Sequence, residues 1–385
     1  MPGKPSSVPR STFSFGVGLL FVALFLGCSD GVGPHGPLYR IPPGTTDGWP
    51  TAHINTSGLN ADSAEAFLVR FEAGEYPNLH AFLLFRHGNL ILEAYQGGSD
   101  MFGYPAEYDR EALHPVYSVS KSVTSFLLGS AQELGYSTSP EEEVGTFFPE
   151  RRELFRAPGW KEMTIRDLLT MSAGLHWDES STSYLDPIND FNIMIGAADP
   201  LGYLFSRPFD ASPGEGFTYN SGVSVLLGEI LRRATNLPAD EYAEGHLFPA
   251  LDIRDFAWSR WSNGTVDTGG GLHLRPRDMA KFGALVLTGG RWNGRQVVPE
   301  DWVTASTIRQ AEDRGYGYQW WIVSLSSPDW GSVPGVAAIG WGGQYVIVIP
   351  ELDLICALTG ANHDELTGQG ITVLKDTFLS GLLNP

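Results

Sequence analysis

Strand-like stretches lie at both ends of this chain and helical periodicity fills its middle, so the two ends must come together in one sheet. Residues 81–85 and 90–95 are apolar runs split by Arg86-His87-Gly88-Asn89, a hairpin pattern in which His87 is a turn residue rather than a ligand. Strand character returns at 318–323, 344–349 and 354–359, the last two separated by Pro350-Glu351-Leu352-Asp353. Between these ends, Val119, Val123, Phe126, Leu127, Ala131 and Leu134 recur at helical spacing from Ser118, with Gly135 as a stop. Thr164-Ile165-Arg166-Asp167 has the pattern of a capping box and opens a helix expected to reach Gly174. Further helices are predicted over 223–235, 276–287 and 299–307, and a last one over 370–382 covers the sheet. The pattern implies an α/β fold of the α+β type: a sheet built from both chain ends, flanking helices and an inserted helical lobe. Chemistry is expected in the cleft between sheet and lobe.

The N-terminus reads differently. Lys4 and Arg10 precede an uncharged apolar run over 13–26, too short to span a bilayer and shaped like an export signal. It ends in Leu24-Phe25-Leu26-Gly27-Cys28-Ser29, which resembles a bacterial lipobox with Phe25 in place of the usual aliphatic residue. The expectation is an exported protein, periplasmic or held at a membrane by lipidated Cys28, with a cleaved signal and an incidental cysteine as the alternative. Residues 1–28 are read as this signal, 29–60 as a Gly/Pro-rich tether without chemistry, and 61–385 as the folded unit. The only other cysteine, Cys356, lies in an apolar run and is expected to be a buried thiol. A net charge of −19 argues against nucleic-acid binding, which needs clustered Lys and Arg. Nothing here sets an oligomeric state.

Lysine is scarce, and only Lys4, Lys121, Lys161, Lys281 and Lys375 occur. Lys121 stands three residues after Ser118, at the start of a predicted helix with apolar neighbours. Positions i and i+3 share a helix face, so the Lys121 amine can reach the Ser118 hydroxyl. A serine hydroxyl becomes a nucleophile when a neighbouring base removes its proton. The helix N-terminus adds free N–H groups that favour developing negative charge. Spacing alone leaves catalysis and a solvated lysine about equally open.

Ser118-Val119-Ser120-Lys121, Thr164 through Leu175, and Pro213-Gly214-Glu215-Gly216-Phe217-Thr218-Tyr219-Asn220-Ser221-Gly222, in that order, resemble the serine beta-lactamase and penicillin-binding protein superfamily, in its class C-like esterase branch. The resemblance spans about residues 75 to 380 and implies that superfamily's antiparallel sheet. It implies Ser118 as nucleophile, Lys121 as general base and Tyr219 as the proton-transfer residue. The usual Tyr-x-Asn is altered, because Asn220 directly follows the tyrosine and Ser221 takes the next place; either could contact substrate. The third motif, usually Lys-Thr-Gly or His-x-Gly on a strand, is matched to Trp341-Gly342-Gly343, and the N–H groups of Ser118 and Gln344 are expected to form the oxyanion hole. Trp341 and Gly342 offer no cation for a substrate carboxylate, which favours esters or simple amides over penicillins.

The resulting expectation is a serine hydrolase acting through an acyl-enzyme on a small ester or amide, with no cofactor and no metal. A beta-lactamase or D-alanyl-D-alanine peptidase is the alternative within enzymes, and a non-turnover acylated sensor is the alternative outside them. Trp177, Trp320, Trp321 and Trp341 are candidates for an apolar acyl pocket. Asp178, Glu179, Asp186 and Asp190 read as a solvated acidic loop over the cleft, with a cation site as the alternative. No HExxH, G-x-S-x-G or P-loop pattern is present.

Overall fold

The computed structural model describes residues 37–310, 314–363 and 368–383; Cys28 and the proposed signal lie outside them. Six antiparallel strands form the main sheet: β1 (Leu79–Arg86), β2 (Asn89–Tyr95), β3 (Trp321–Ser327), β4 (Gly331–Gly340), β5 (Gln344–Ile349) and β6 (Leu354–Gly360). Their spatial order is β3-β4-β5-β6-β1-β2, so the two chain ends meet where β6 pairs with β1. Successive β1 side chains alternate between two cores. Ala81, Leu83 and Phe85 face the helical lobe, while Phe82 and Leu84 face α1 (Ala61–Glu72) and the helical segment that begins at Gln369–Val373. Both faces are covered, which explains why β1 reads as one apolar run.

Helix α2 (Val119–Glu133) runs through the lobe with Val119 to Ala131 buried, although several of these residues are serine or threonine. It tolerates burial because the hydroxyls are paired: Ser120 accepts from Leu272 N–H (3.1 Å), Ser122 donates to the Gln319 carbonyl (2.6 Å), and Ser125 accepts from Trp302 Nε1 (3.1 Å). The capping box is present, with Thr164 and Asp167 closing α3 (Ile165–Leu169). That helix stops short of the expected Gly174, because Met171 turns the chain at φ 58°. Three more helices, α4 (Ser221–Thr235), α5 (Pro276–Leu287) and α6 (Glu300–Thr307), fall where the periodicity places them.

Residues 37–60 differ from the expected tether. They pack on the folded unit, with Trp49 and Ile54 buried. Buried Arg277 holds this segment through Thr45 (3.1 Å), Asp47 (3.0 Å) and the Pro43 carbonyl (3.0 Å), while a bidentate contact to Glu93 (2.8 and 2.9 Å) ties it to β2. A guanidinium spends several donors in one plane, so a single residue can stitch an irregular strap that has no periodicity of its own.

Candidate active site

A short strand, His114–Pro115, leads into α2 through Tyr117, whose φ of 45° is strained for a non-glycine residue and turns the chain sharply. Ser118 sits at the corner, in the N-cap position of α2. Lys121 is 1% exposed, and its Nζ lies 2.8 Å from Ser118 Oγ and 2.6 Å from the Gly269 carbonyl. The same Nζ is 5.0 Å from the centre of the Tyr219 ring, which stacks on Trp321 at 5.9 Å. The fold thus gathers Ser118, Lys121 and Tyr219 into one constellation.

The segment after Tyr219 settles which neighbour faces the cleft. Asn220 is a helix cap: it is buried and its Oδ1 accepts from Val223 N–H (3.2 Å) at the start of α4. Ser221 lines the cleft instead. Its N–H (2.7 Å) and its Oγ (2.6 Å) both donate to Glu179, which also accepts from Trp177 Nε1 (2.6 Å) and Tyr184 OH (2.9 Å). Glu179 is 1% exposed, so the expectation of a solvated acidic loop fails here. Asp190 is buried too and accepts from Asp178 N–H (2.7 Å). Among the described residues no group of three His, Cys, Asp or Glu side chains is arranged to hold a metal ion. Beside Glu179, burial and then the carboxylate's charge push the Tyr184 hydroxyl well above its ordinary pKa.

Trp341-Gly342-Gly343 lies at the cleft, but in the turn joining β4 to β5 rather than on a strand. Gly342 and Gly343 take φ of 78° and 93°, a conformation that suits glycine. Gln344 is fully buried and lines neither cavity described below. Its side-chain amide donates to the carbonyls of Gly360 (2.7 Å) and Trp341 (3.1 Å) and accepts from Gly360 N–H (3.2 Å). The backbone that approaches the Ser118 corner is the end of β4. A Cβ on Gly340 would stand 2.3 Å from the Val116 carbonyl, two residues before Ser118.

Two cavities meet at this corner, one of about 530 Å³ and one of about 710 Å³, and Ser118, Tyr184, Trp341 and His363 line both. Tyr219 and Trp321 line the second; Trp320 and Trp177 are core residues. Asp267, not singled out from sequence, lines the first. Its Oδ1 accepts from Gly269 N–H (3.1 Å) and Gly270 N–H (2.9 Å), fixing the turn whose carbonyl holds Lys121. Burial raises the Asp267 pKa, and the Lys121 charge opposes that shift. The run Gly269-Gly270-Gly271 was the available signal for such a turn. His80 and His114 share a hydrogen bond of 3.0 Å in the first cavity, and burial lowers their pKa values to about 4 and about 3.

Residues 80–365 match the family model for beta-lactamase. The chain is 27% identical over 301 residues to a 6-aminohexanoate-dimer hydrolase of Paenarthrobacter ureafaciens, covering 71% of this chain and 70% of that one. Among solved structures it resembles a family VIII carboxylesterase, with a TM-score of 0.62, 16% identity, and coverage of 83% of this chain and 97% of that one. It also resembles the octameric penicillin-binding protein homologue from Pyrococcus abyssi, with a TM-score of 0.60, 17% identity, and coverage of 85% and 78%.

Proposed function

The chain belongs to the beta-lactamase family, and from that premise we propose that it hydrolyses carboxylic esters or simple amides with Ser118 as nucleophile, Lys121 as base and Tyr219 as proton carrier. One observation carries the assignment: a buried lysine amine 2.8 Å from a serine hydroxyl, at a point where two cavities meet. Lys121 takes the Ser118 proton as Oγ bonds to the substrate carbonyl carbon. The resulting oxyanion faces the N–H of Ser118 at the α2 N-terminus. For the second donor we replace Gln344 with the main-chain N–H of Trp341, because Gly340 brings that stretch against the nucleophile corner and Gln344 lies behind it. Collapse of the tetrahedral adduct breaks the C–O or C–N bond. The Tyr219 hydroxyl protonates the departing atom and recovers its proton from Lys121. Water then repeats the sequence on the acyl-enzyme and releases the acid. Ser221 and the turn Trp341-Gly342-Gly343 form walls against which the substrate lies.

Ser118→Ala should abolish labelling by a fluorophosphonate and hydrolysis of nitrophenyl esters while leaving the thermal melt unchanged. Labelling that persists in this variant refutes the nucleophile. A panel of esters, linear amides and a chromogenic cephalosporin separates the reading from its alternatives: much faster cephalosporin turnover favours a beta-lactamase, and a stable adduct without turnover favours a sensor. The proposal includes export and lipidation at Cys28, supported by the apolar run and the cysteine that ends it. Incorporation of an alkyne fatty acid that survives Cys28→Ser would rule out that attachment.

A further inference from the structure

Among the described residues the four most exposed large apolar side chains are Phe102, Tyr104, Leu185 and Ile188, each 61–69% exposed, and they come from two short segments. Exposed Ile193 joins them on the helix Asp190–Gly196 that follows the second segment. Both segments also line the first cavity. Asp100 and Met101, just before Phe102, form part of its wall, and so do Tyr184 and Asn192, which adjoin Leu185 and Ile193. The exposed residues therefore border the cavity that reaches Ser118 instead of scattering singly over the surface.

Hydrogen bonds hold both segments in this outward form. The hairpin that pairs Gly98–Ser99 with Pro105–Ala106 ends in a turn around Asp100. Asp100 Oδ1 accepts from Phe102 N–H (2.8 Å) and Tyr104 N–H (2.9 Å), and the Asp100 N–H donates to the Tyr104 carbonyl (2.9 Å). In the second segment Asn192 Nδ2 donates to the carbonyls of Tyr184 and Asp186 (both 2.8 Å), and Asp186 Oδ1 accepts from Ile188 N–H (3.0 Å). Turns closed in this way spend their polar groups on themselves and leave the apolar side chains facing outward. Residues 97–109 and 177–206 contain no lysine or arginine, and the chain carries a net charge of −19, so an anionic surface would be repelled from this rim.

We propose that this rim docks the protein on an electrically neutral lipid surface, from which the first cavity draws the acyl chains of water-insoluble esters toward Ser118. The substrate class rests on the hydrolase assignment above. Tyr219, which protonates the departing atom, lines the second cavity, so the acyl chain falls in the first, whose wall includes Met101, Leu113, Phe191 and Ile195. A second copy of the chain seated on the rim would cover the way into that cavity, whereas a lipid surface feeds it. Attachment at Cys28, proposed above, would hold the folded unit beside such a surface. Each rim side chain of the size of Leu, Ile or Phe that leaves water for an apolar phase strengthens docking roughly 10-fold or more.

The test uses the full chain carrying Cys28→Ser, which removes the site of the lipid anchor, while buried Cys356 stays out of reach of a thiol label. A polarity-sensitive nitrobenzoxadiazole label is placed through Tyr104→Cys on the rim or, as a distant control, through Glu133→Cys, exposed at the far end of α2. Phosphatidylcholine vesicles should shift the emission of the rim label to shorter wavelength and leave the control label unchanged. Adding Phe102→Ser and Ile188→Ser should weaken that titration about 10-fold or more. A rim label that stays in water overturns the proposal even if ester hydrolysis is confirmed, and so does one that responds to protein concentration but not to vesicles, the mark of a second copy. A titration weakened by the serine substitutions upholds docking even if the hydrolase assignment fails, because it reads no turnover. For the substrate class, nitrophenyl butyrate in solution is compared with nitrophenyl palmitate dispersed in the same vesicles. The ratio of kcat/KM for palmitate over butyrate should fall about 10-fold when Phe102→Ser and Ile188→Ser are combined, and an unchanged ratio overturns delivery from the lipid surface.

Discussion

Glu179 offers a sharp test, because the direction of each of its hydrogen bonds decides which substitutions the site can absorb. Oε2 accepts from Trp177 Nε1 and from the Ser221 main-chain N–H, two groups that can only donate. Oε1 accepts from the hydroxyls of Tyr184 and Ser221, which can reverse and accept instead. In Glu179→Gln, the amide oxygen can take the Oε2 position and the NH₂ group can donate to the two hydroxyls, so every partner stays paired. The expected loss is less than about 2 kcal/mol, the difference between charged and neutral hydrogen bonds set against a smaller desolvation cost. In Glu179→Leu the volume is similar, but Trp177 Nε1 and Ser221 N–H are left buried and unpaired, at about 1–3 kcal/mol each and about 2–6 kcal/mol together. Urea unfolding of the three proteins measures both values. A leucine variant within about 1 kcal/mol of wild type, or a glutamine variant as unstable as the leucine one, refutes the reasoning. Because Ser221 lies two residues after Tyr219, Glu179→Leu should also slow fluorophosphonate labelling, whereas Glu179→Gln should keep most of it.

Lys121→Ala should lower kcat by about 10²- to 10⁴-fold, the usual range for losing a positioned base, and Lys121→Arg should not restore it because a guanidinium stays protonated; stopped-flow acylation checks both. Gly340→Ala forces β4 away from the Val116 carbonyl, so kcat should fall on the order of 100-fold while the fold persists, read by ester hydrolysis and circular dichroism. His80 and His114 titrate near 4 and 3 when folded and near 6.5 when unfolded, so the unfolded chain binds more protons between those values. Stability should therefore be fully present above about pH 6.5 and fall at roughly 1.4 kcal/mol per pH unit for each histidine as pH drops toward 4. His80→Asn should flatten that slope in denaturant titrations at several pH values; an unchanged slope refutes the assignment.

Local spacing carried much of what could be read from the residues alone. The i,i+3 relation of Ser118 and Lys121 follows from helical geometry, and the apolar runs at the chain ends define strands buried on both faces. Strand β4 was hidden because Pro334 and several glycines depress strand character. Pro334 is tolerated because β4 pairs with β5 only from Val336 onward, so the missing N–H falls outside that ladder. A residue's value in the site depended on what other segments brought to it. Glu179 looked like part of a wet loop until Ser221, Trp177 and Tyr184 closed on it. The side chains of Asn220 and Gln344 are held by hydrogen bonds within the fold, which no local pattern announced. Asp267 was marked in the sequence only by the Gly269-Gly270-Gly271 run that follows it. Helical and strand periods encode which neighbours in sequence share a face, so the Ser118–Lys121 pair was legible in the sequence by itself. Which distant carboxylate, carbonyl or guanidinium lines the same cavity is decided by chain crossings that no period records, and only the tertiary structure determines it.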